Sequence, residues 1–266
     1  MAGVYNALYV NGVHSNEHVT ANLLSDMMLA GGGPDDISAK NVDSFQDPSV
    51  DTYRDLWGGT YNGVTRANAI LAAVENADYS SYFSTSAEAD AFKAQIIGEA
   101  YFMRAFLYFR AAKFFGGVPL ILEVNDPRDV ARASFEETFA QIASDLKKAI
   151  EILPNVNQSA ISTTEFGHAN KWVAQAYLGR VFLFYTGYMT NMEGTSTSEL
   201  PLAEGSSLTK TDVAAYLQDC ISKSGYSLTP DFRNLWPYSY VNESAGSVVL
   251  PWADTEGLSW VGQDGH

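Results

Sequence analysis

Apolar side chains recur at three- and four-residue intervals through most of the chain, the spacing that lines one face of an α-helix. The longest such run, Ala87 to Phe115, has no proline and a single internal glycine, Gly98. It stops at Gly116-Gly117 with Pro119 just beyond, as a helix C-terminus does. Small residues recur on one heptad position, Ala91, Gly98, Ala105 and Ala112, between bulky Phe92, Phe102, Phe106, Tyr108 and Phe109. Such a row lets a second helix approach closely while the aromatics fill the flanking grooves. Ala105-x3-Phe109-x2-Ala112 also has the second-helix spacing of a tetratricopeptide unit.

The same period predicts further helices. Val4 to Met28 is one, broken near Gly12. Residues 53–77 carry Tyr53, Trp57, Tyr61, Val64, Ala67, Ile70 and Leu71 on one face. Ser134 is a predicted N-cap with Glu137 closing a capping box. The helix it opens carries Phe135, Phe139, Ile142, Leu146, Ala149 and Leu153 on one stripe and ends at Pro154. Residues 165–187 form another, in which Ala169 and Ala176 repeat the small-residue device, and 212–224 a shorter one closed by Gly225 in a left-handed cap. Residues 25–50 and 190–209 show no period and read as loop and surface insertion, and 126–133 as a polar connector. Little strand is expected before Ser247–Leu250. The predicted fold is mostly α, pairing 53–77 with 87–115 and 134–153 with 165–187 in a tetratricopeptide-like array, as one domain over 1–266.

Composition narrows the function. At 266 residues and 46% hydrophobic content the chain can bury a real core. A net charge of -15 argues against nucleic acid or anionic lipid as a direct partner, because phosphate binding needs a basic face. The single Cys220 excludes an internal disulfide and reads as a small buried hydrophobe. No run of about eighteen apolar residues is present. The opening MAGVYNALYV is no export leader, so the protein is cytosolic or its signal and anchor lie outside this sequence.

Candidate chemistry is sparse. His14-Ser15-Asn16-Glu17-His18 fits the H-x-x-E-H zinc-peptidase pattern, but its polar flanks and the missing third ligand favour a solvated helix face. Gly31-Gly32-Gly33-Pro34 lacks the preceding strand and the following Lys-Ser/Thr of a phosphate loop. Glu136 and Glu137 point about 100° apart on a helix and cannot form a glycosidase pair. His168 stands without a nucleophile or carboxylate in register and reads as a helix-start residue rather than a base. Trp57 and Asn68 could contact sugar, yet their register favours core packing.

Gly98-Glu99-Ala100-Tyr101-Phe102-Met103-Arg104-Ala105-Phe106-Leu107-Tyr108-Phe109, followed by Phe114-Phe115-Gly116-Gly117-Val118-Pro119-Leu120, resembles the central helix and exit loop of the SusD/RagB family. Three further stretches repeat the resemblance: the Tyr53–Leu71 face, Gly167-His168-Ala169-Asn170-Lys171-Trp172 leading to Gly179-Arg180-Val181-Phe182-Leu183, and Ser224-Gly225-Tyr226-Ser227-Leu228 with Asn242-Glu243 beyond. The family comprises lipid-anchored nutrient-binding proteins of the Bacteroidetes outer membrane. The resemblance implies non-catalytic capture of a glycan or other polymeric nutrient at the cell surface, for delivery to a SusC-type TonB-dependent transporter. It also implies a lipid anchor preceding this sequence, and a C-terminal half that this chain lacks.

By the same resemblance the glycine loop lies at the glycan site, with glycine where the family places an aromatic platform. The residues expected to contact ligand are Asp35, Asp36, Asn41 and Asp43 in that loop, and Tyr238, Asp254, Trp260 and Gln263 toward the end of the chain. Trp260, between glycine-bearing turns, is the expected exposed indole, on which a pyranose face can stack. No cofactor is expected. The oxygen-rich stretch 35–47 has side chains of the kind that bind calcium, but its spacing fits no EF-hand. Two other readings stay open: a repeat scaffold binding peptides or a partner protein and, ranked last, a metal-dependent or glycoside-cleaving hydrolase.

Overall fold

Reciprocal capping boxes define where three of the long helices begin, because each supplies partners to backbone N–H groups that the helix itself leaves unpaired. The computed structural model describes residues 1–8, 15–35, 37–46, 53–127, 129–161 and 167–228. In chain order its helices are α1 (Ala2–Asn6), α2 (Ser15–Leu24), α3 (Ile37–Asp43), α4 (Arg54–Glu75), α5 (Ser86–Phe115), α6 (Phe135–Ile152), α7 (Lys171–Asn191) and α8 (Lys210–Lys223). A hairpin of β1 (Glu199–Pro201) and β2 (Ser207–Thr209) precedes α8. Thr85 with Glu88 caps α5, Ser134 with Glu137 caps α6 and Thr209 with Asp212 caps α8. Asn170 caps α7 through Val173 N–H. Each cap contributes about 1 kcal/mol. No described helix is long and apolar enough to cross a membrane.

Met1–Ser224 form one compact unit in which α4 to α8 stack in sequence order, each antiparallel to the last. The contacts show the direction. Trp57 meets Phe115 and Tyr61 meets Tyr108 between α4 and α5, Phe109 meets Phe139 between α5 and α6, and Phe135 stacks on Tyr188 between α6 and α7 at 4.2 Å. The expected helical-repeat architecture is therefore present. Of the heptad row in α5, Gly98, Ala105 and Ala112 are buried and Ala91 is exposed. Gly98 is where α6 ends against α5: a Cβ there would lie 2.6 Å from Leu153 Cγ.

Several sequence expectations need correction. The first predicted helix, Val4 to Met28, is represented by α1 and α2, and α2 ends at Leu24 with Asp26 at φ 56°. Its break near Gly12 lies outside the described residues. The aperiodic stretch after the glycine loop contains α3, too short at seven residues to show a helical period. The supposed surface insertion holds the β1–β2 hairpin, so strand occurs before Ser247. Leu200, Leu202 and Leu208 enter the core there, and Ser144 Oγ clips the turn by accepting from Ala203 N–H at 2.8 Å. In α7 the small residue at the helix contact is Gly179, whose added Cβ would sit 2.9 Å from Leu217; Ala176 faces solvent. Cys220 is half-buried rather than buried, and burial pushes its thiol pKa up. Gly225 does adopt the left-handed conformation, with φ 77°. The predicted strand Ser247–Leu250 lies outside the described residues.

One buried polar network organises the stack. Arg104 on α5 donates from Nε and Nη2 to both oxygens of Asp145 on α6, each at 2.7 Å. Its Nη1 donates to Asn68 Oδ1 on α4 at 2.8 Å and to Leu122 O at 2.9 Å. Gln141 adds a third donor to Asp145. Asp145 is fully buried, which pushes its carboxyl pKa up, and the guanidinium and Gln141 oppose that shift. Bidentate pairing of this kind holds a charge in a low-dielectric interior only while both partners stay.

Two predictions follow from this packing and can be read by chemical denaturation. Gly58→Ala in α4, where nothing lies within 4 Å of an added Cβ, should stabilise by about 0.5–1 kcal/mol, whereas Gly98→Ala should destabilise by about 1–3 kcal/mol through overpacking on Leu153. Arg104→Leu should cost about 3–5 kcal/mol by stranding Asp145. Adding Asp145→Leu to it should recover most of that loss.

Candidate functional site

The exit from α5 turns back over α4 and makes a groove. Gly116 at φ 70° ends the helix, and the segment from Pro119 to Asp126 returns along α4. Four side chains pin it. Tyr61 OH donates to Pro119 O at 2.8 Å, Asn68 Nδ2 to Ile121 O at 3.0 Å and Tyr108 OH to Ile121 O at 2.9 Å, and Arg104 holds Leu122 O. Tyr108 OH also accepts from Ile121 N–H. At the tip Asp126 Oδ2 accepts from the N–H groups of Leu122 and Glu123 at 2.7 and 2.9 Å, which closes the turn. Burial raises the Tyr61 and Tyr108 phenol pKa values, so both stay neutral donors.

The groove has a volume of about 430 Å³. Trp57 and Tyr61, with ring centroids 4.9 Å apart, form its aromatic wall. Asn62 and Arg66 on α4 and Glu123 on the loop line it as well, all exposed, with Arg66 Nη1 donating to Gly3 O at 2.6 Å. An aromatic face beside amide, guanidinium and carboxylate groups can stack an apolar ring face while donating to and accepting from hydroxyls. Asn68 belongs to the core, 2% exposed and bonded to Arg104, as its register implies. Trp57 does both: it packs edge-on against Phe115 at 5.1 Å and still lines the groove. Sequence reasoning missed Asn62, Arg66, Glu123 and Asp126 as a set. The available signal was the polar flank of the Trp57–Tyr61 stripe together with the Gly-Gly-x-Pro exit that turns the chain back.

Of the predicted ligand residues, the described ones, Asp35, Asn41 and Asp43, do not line this groove. Asp35 is exposed before α3, and its carbonyl accepts from Ile37 N–H. Asn41 is half-buried within α3. Asp43 Oδ2 accepts from Ala30 N–H at 3.2 Å, and Lys40 Nζ donates to Gly33 O at 2.7 Å, so this helix ties the glycine loop down. Asp36, Tyr238, Asp254, Trp260 and Gln263 lie outside the described residues, as does His14. No group of three or more His, Cys, Asp or Glu placed to hold a metal occurs among the described residues.

His168 is not alone. Its Nδ1 lies 3.0 Å from both oxygens of Glu99, which is 1% exposed on α5. Gln95 Nε2 also donates to Glu99, and Tyr5 OH accepts from Ala169 N–H at 2.8 Å. Burial, and then the Glu99 charge, push the Tyr5 phenol pKa up. The partner of His168 sits 69 residues away in sequence, so helical register could not reveal it. The cluster fastens α1 and the start of α7 to α5.

The comparisons with known proteins agree with this architecture. The family described as SusD-like, starch-binding and associating with the outer membrane, matches residues 1–183. A SusD-like protein of Bacteroides ovatus is 29% identical over 202 residues, covering 74% of this chain and 32% of that protein. The chain thus spans about a third of the length of that relative. Among solved structures, a laminarin-binding SusD-like protein superposes with a TM-score of 0.67 at 23% identity, over 91% of this chain and 48% of the other. Surface glycan-binding protein A from Bacteroides thetaiotaomicron, in complex with laminarihexaose, gives 0.62 at 18% identity, over 88% and 44%. At these identities the two structures speak to fold alone. With the family match covering residues 1–183 of 266, the chain belongs to the SusD-like family.

Proposed function

We propose that this chain is the helical part of a cell-surface protein that captures glycan without cleaving it and hands it to a SusC-type TonB-dependent transporter in the outer membrane. The observation that carries the reading is the groove of Trp57 and Tyr61, an aromatic wall flanked by Asn62, Arg66 and Glu123 on a loop fixed from the core. Family membership supports it, because the family is described as starch-binding and associating with the outer membrane. So do the names of the two structural neighbours, one laminarin-binding and one bound to laminarihexaose.

Binding without bond-making fits the groove chemistry. Asp126 Oδ2 already accepts two backbone N–H groups, which holds the turn and withdraws that oxygen from acid–base work. In this reading Asp35, Asp36, Asn41 and Asp43, with Tyr238, Asp254, Trp260 and Gln263, supply further contacts to a long polymer. The exposed side chains of Met27, Leu29 and Phe45, around and between α2 and α3, suit a protein partner that would cover them. The anchor to the membrane is a lipid in the precursor.

Affinity electrophoresis of the 266-residue chain in gels containing laminarin, xyloglucan or starch tests this. Retention by at least one polysaccharide is expected. Trp57→Ala, and Asn62→Ala as an exposed control that spares the core, should each weaken it by about tenfold, equivalent to about 1.4 kcal/mol. Trp260→Ala should weaken it as well if the end of the chain contributes. Passage through all three gels without retardation would overturn the reading.

A further inference from the structure

A second cavity, sharing no lining residue with the Trp57 groove, opens where α6, α7, α8 and the hairpin meet. Its volume is about 550 Å³, within the range of small-molecule sites. Lys147 of α6 and Lys171 of α7 both line it, although the chain carries a net charge of -15. Neither ammonium makes a short ion pair, although Asp219 feels the Lys171 charge and Glu204 that of Lys147. Lys147 reaches Glu204 at 3.5 Å with its side chain 33% exposed, and Lys171 lies 5.8 Å from the centroid of the Trp172 ring, near the outer limit for a cation–π contact.

The acids of the rim already hold partners of their own, and each carboxylate keeps lone pairs for further donors. Asp212 closes the α8 capping box with Thr209. Asp219 accepts from Gln175 Nε2 at 3.0 Å and from Lys223 at 2.6 Å. Gln175 lies beneath, 1% exposed, and its Oε1 is buried with no hydrogen-bond partner among the described residues. That oxygen lies within the cavity wall rather than open to the cavity, so the groups a ligand can meet are the exposed side chains around it. Half-buried Tyr216 adds an aromatic face, and Ser206 and Ser207 also line the cavity.

We propose that this cavity binds a sugar ring bearing one anionic group, a hexuronate carboxylate or a sulfate ester. Lys147 and Lys171 take the anion, Tyr216 packs against the ring, and ring hydroxyls donate to the lone pairs that Asp212 and Asp219 keep free. The mixture of charges selects this chemistry. A bare sulfate brings no donor to the two rim carboxylates, and a neutral sugar would leave both ammonium groups unused. The inference does not rest on the Trp57 groove.

Calorimetric titration of the full chain with cellobiouronate, cellobiose 6-sulfate, neutral cellobiose and inorganic sulfate tests it. At least one charged disaccharide should bind about tenfold or more tightly than cellobiose, and added salt should weaken it because the ammonium groups are partly exposed. Which disaccharide binds separates carboxylate from sulfate. The double variant Lys147→Gln/Lys171→Gln should erase the preference while keeping the wild-type melting curve, and Trp57→Ala should leave it unchanged, so failure here is distinct from failure of the groove. Charged sugars binding no better than cellobiose, a preference that survives the double variant, or inorganic sulfate matching the sugars would each overturn the proposal.

Discussion

The bidentate contact between Arg104 and Asp145 is the constraint on which the described fold hangs. It crosses from α5 to α6 inside the core, and the same guanidinium reaches Asn68 on α4 and the carbonyl of Leu122 on the returning loop. One side chain therefore sets the spacing of three helices and the position of a groove wall. Hydrophobic packing is tolerant of small slides between helices, whereas a pair of 2.7 Å charge-assisted bonds is not. Burial makes the arrangement all-or-none, since losing either partner leaves an uncompensated charge in a medium that cannot solvate it.

Around that fixed point the fold divides its labour. Aromatic rings along α5, α6 and α7 pack together, with Phe109, Phe139 and Phe184 within 6 Å of one another in edge-on and stacked arrangements. Glycines at Gly98 and Gly179 set how closely neighbouring helices approach. The cap residues decide where each helix begins. The hairpin, clipped to α6 by Ser144, closes the far side and brings Leu200 and Leu208 into the core.

Much of this was legible in the sequence because it is local. Helices α4 to α8, the Ser134–Glu137 box, the Gly116 exit and the apolar stripe of α6 all follow from spacing within a few residues. What escaped was either short or distant. Seven residues of α3 are too few to show a period, and the hairpin has only Leu200, Leu202 and Leu208 to mark it, amid residues that read as linker. The Glu99–His168 pair, the Asn68–Arg104–Asp145 hydrogen bonds, and the groove polar set depend on segments tens of residues apart. Trp57 shows the limit most clearly: its register marks a packed residue, and packing on one edge is compatible with lining a groove on the other.

The segment between α5 and α6 is held by its backbone. Tyr61, Asn68, Tyr108 and Arg104 all grip main-chain atoms of residues 119–122, and Asp126 grips main-chain N–H groups from the other side. The identities of Glu123, Val124 and Asn125 at the exposed crest are consequently released from any duty to the core. Substitution there alters what the groove meets without touching what holds it. A lineage carrying this scaffold can drift in ligand preference through three adjacent codons while its stability stays in place.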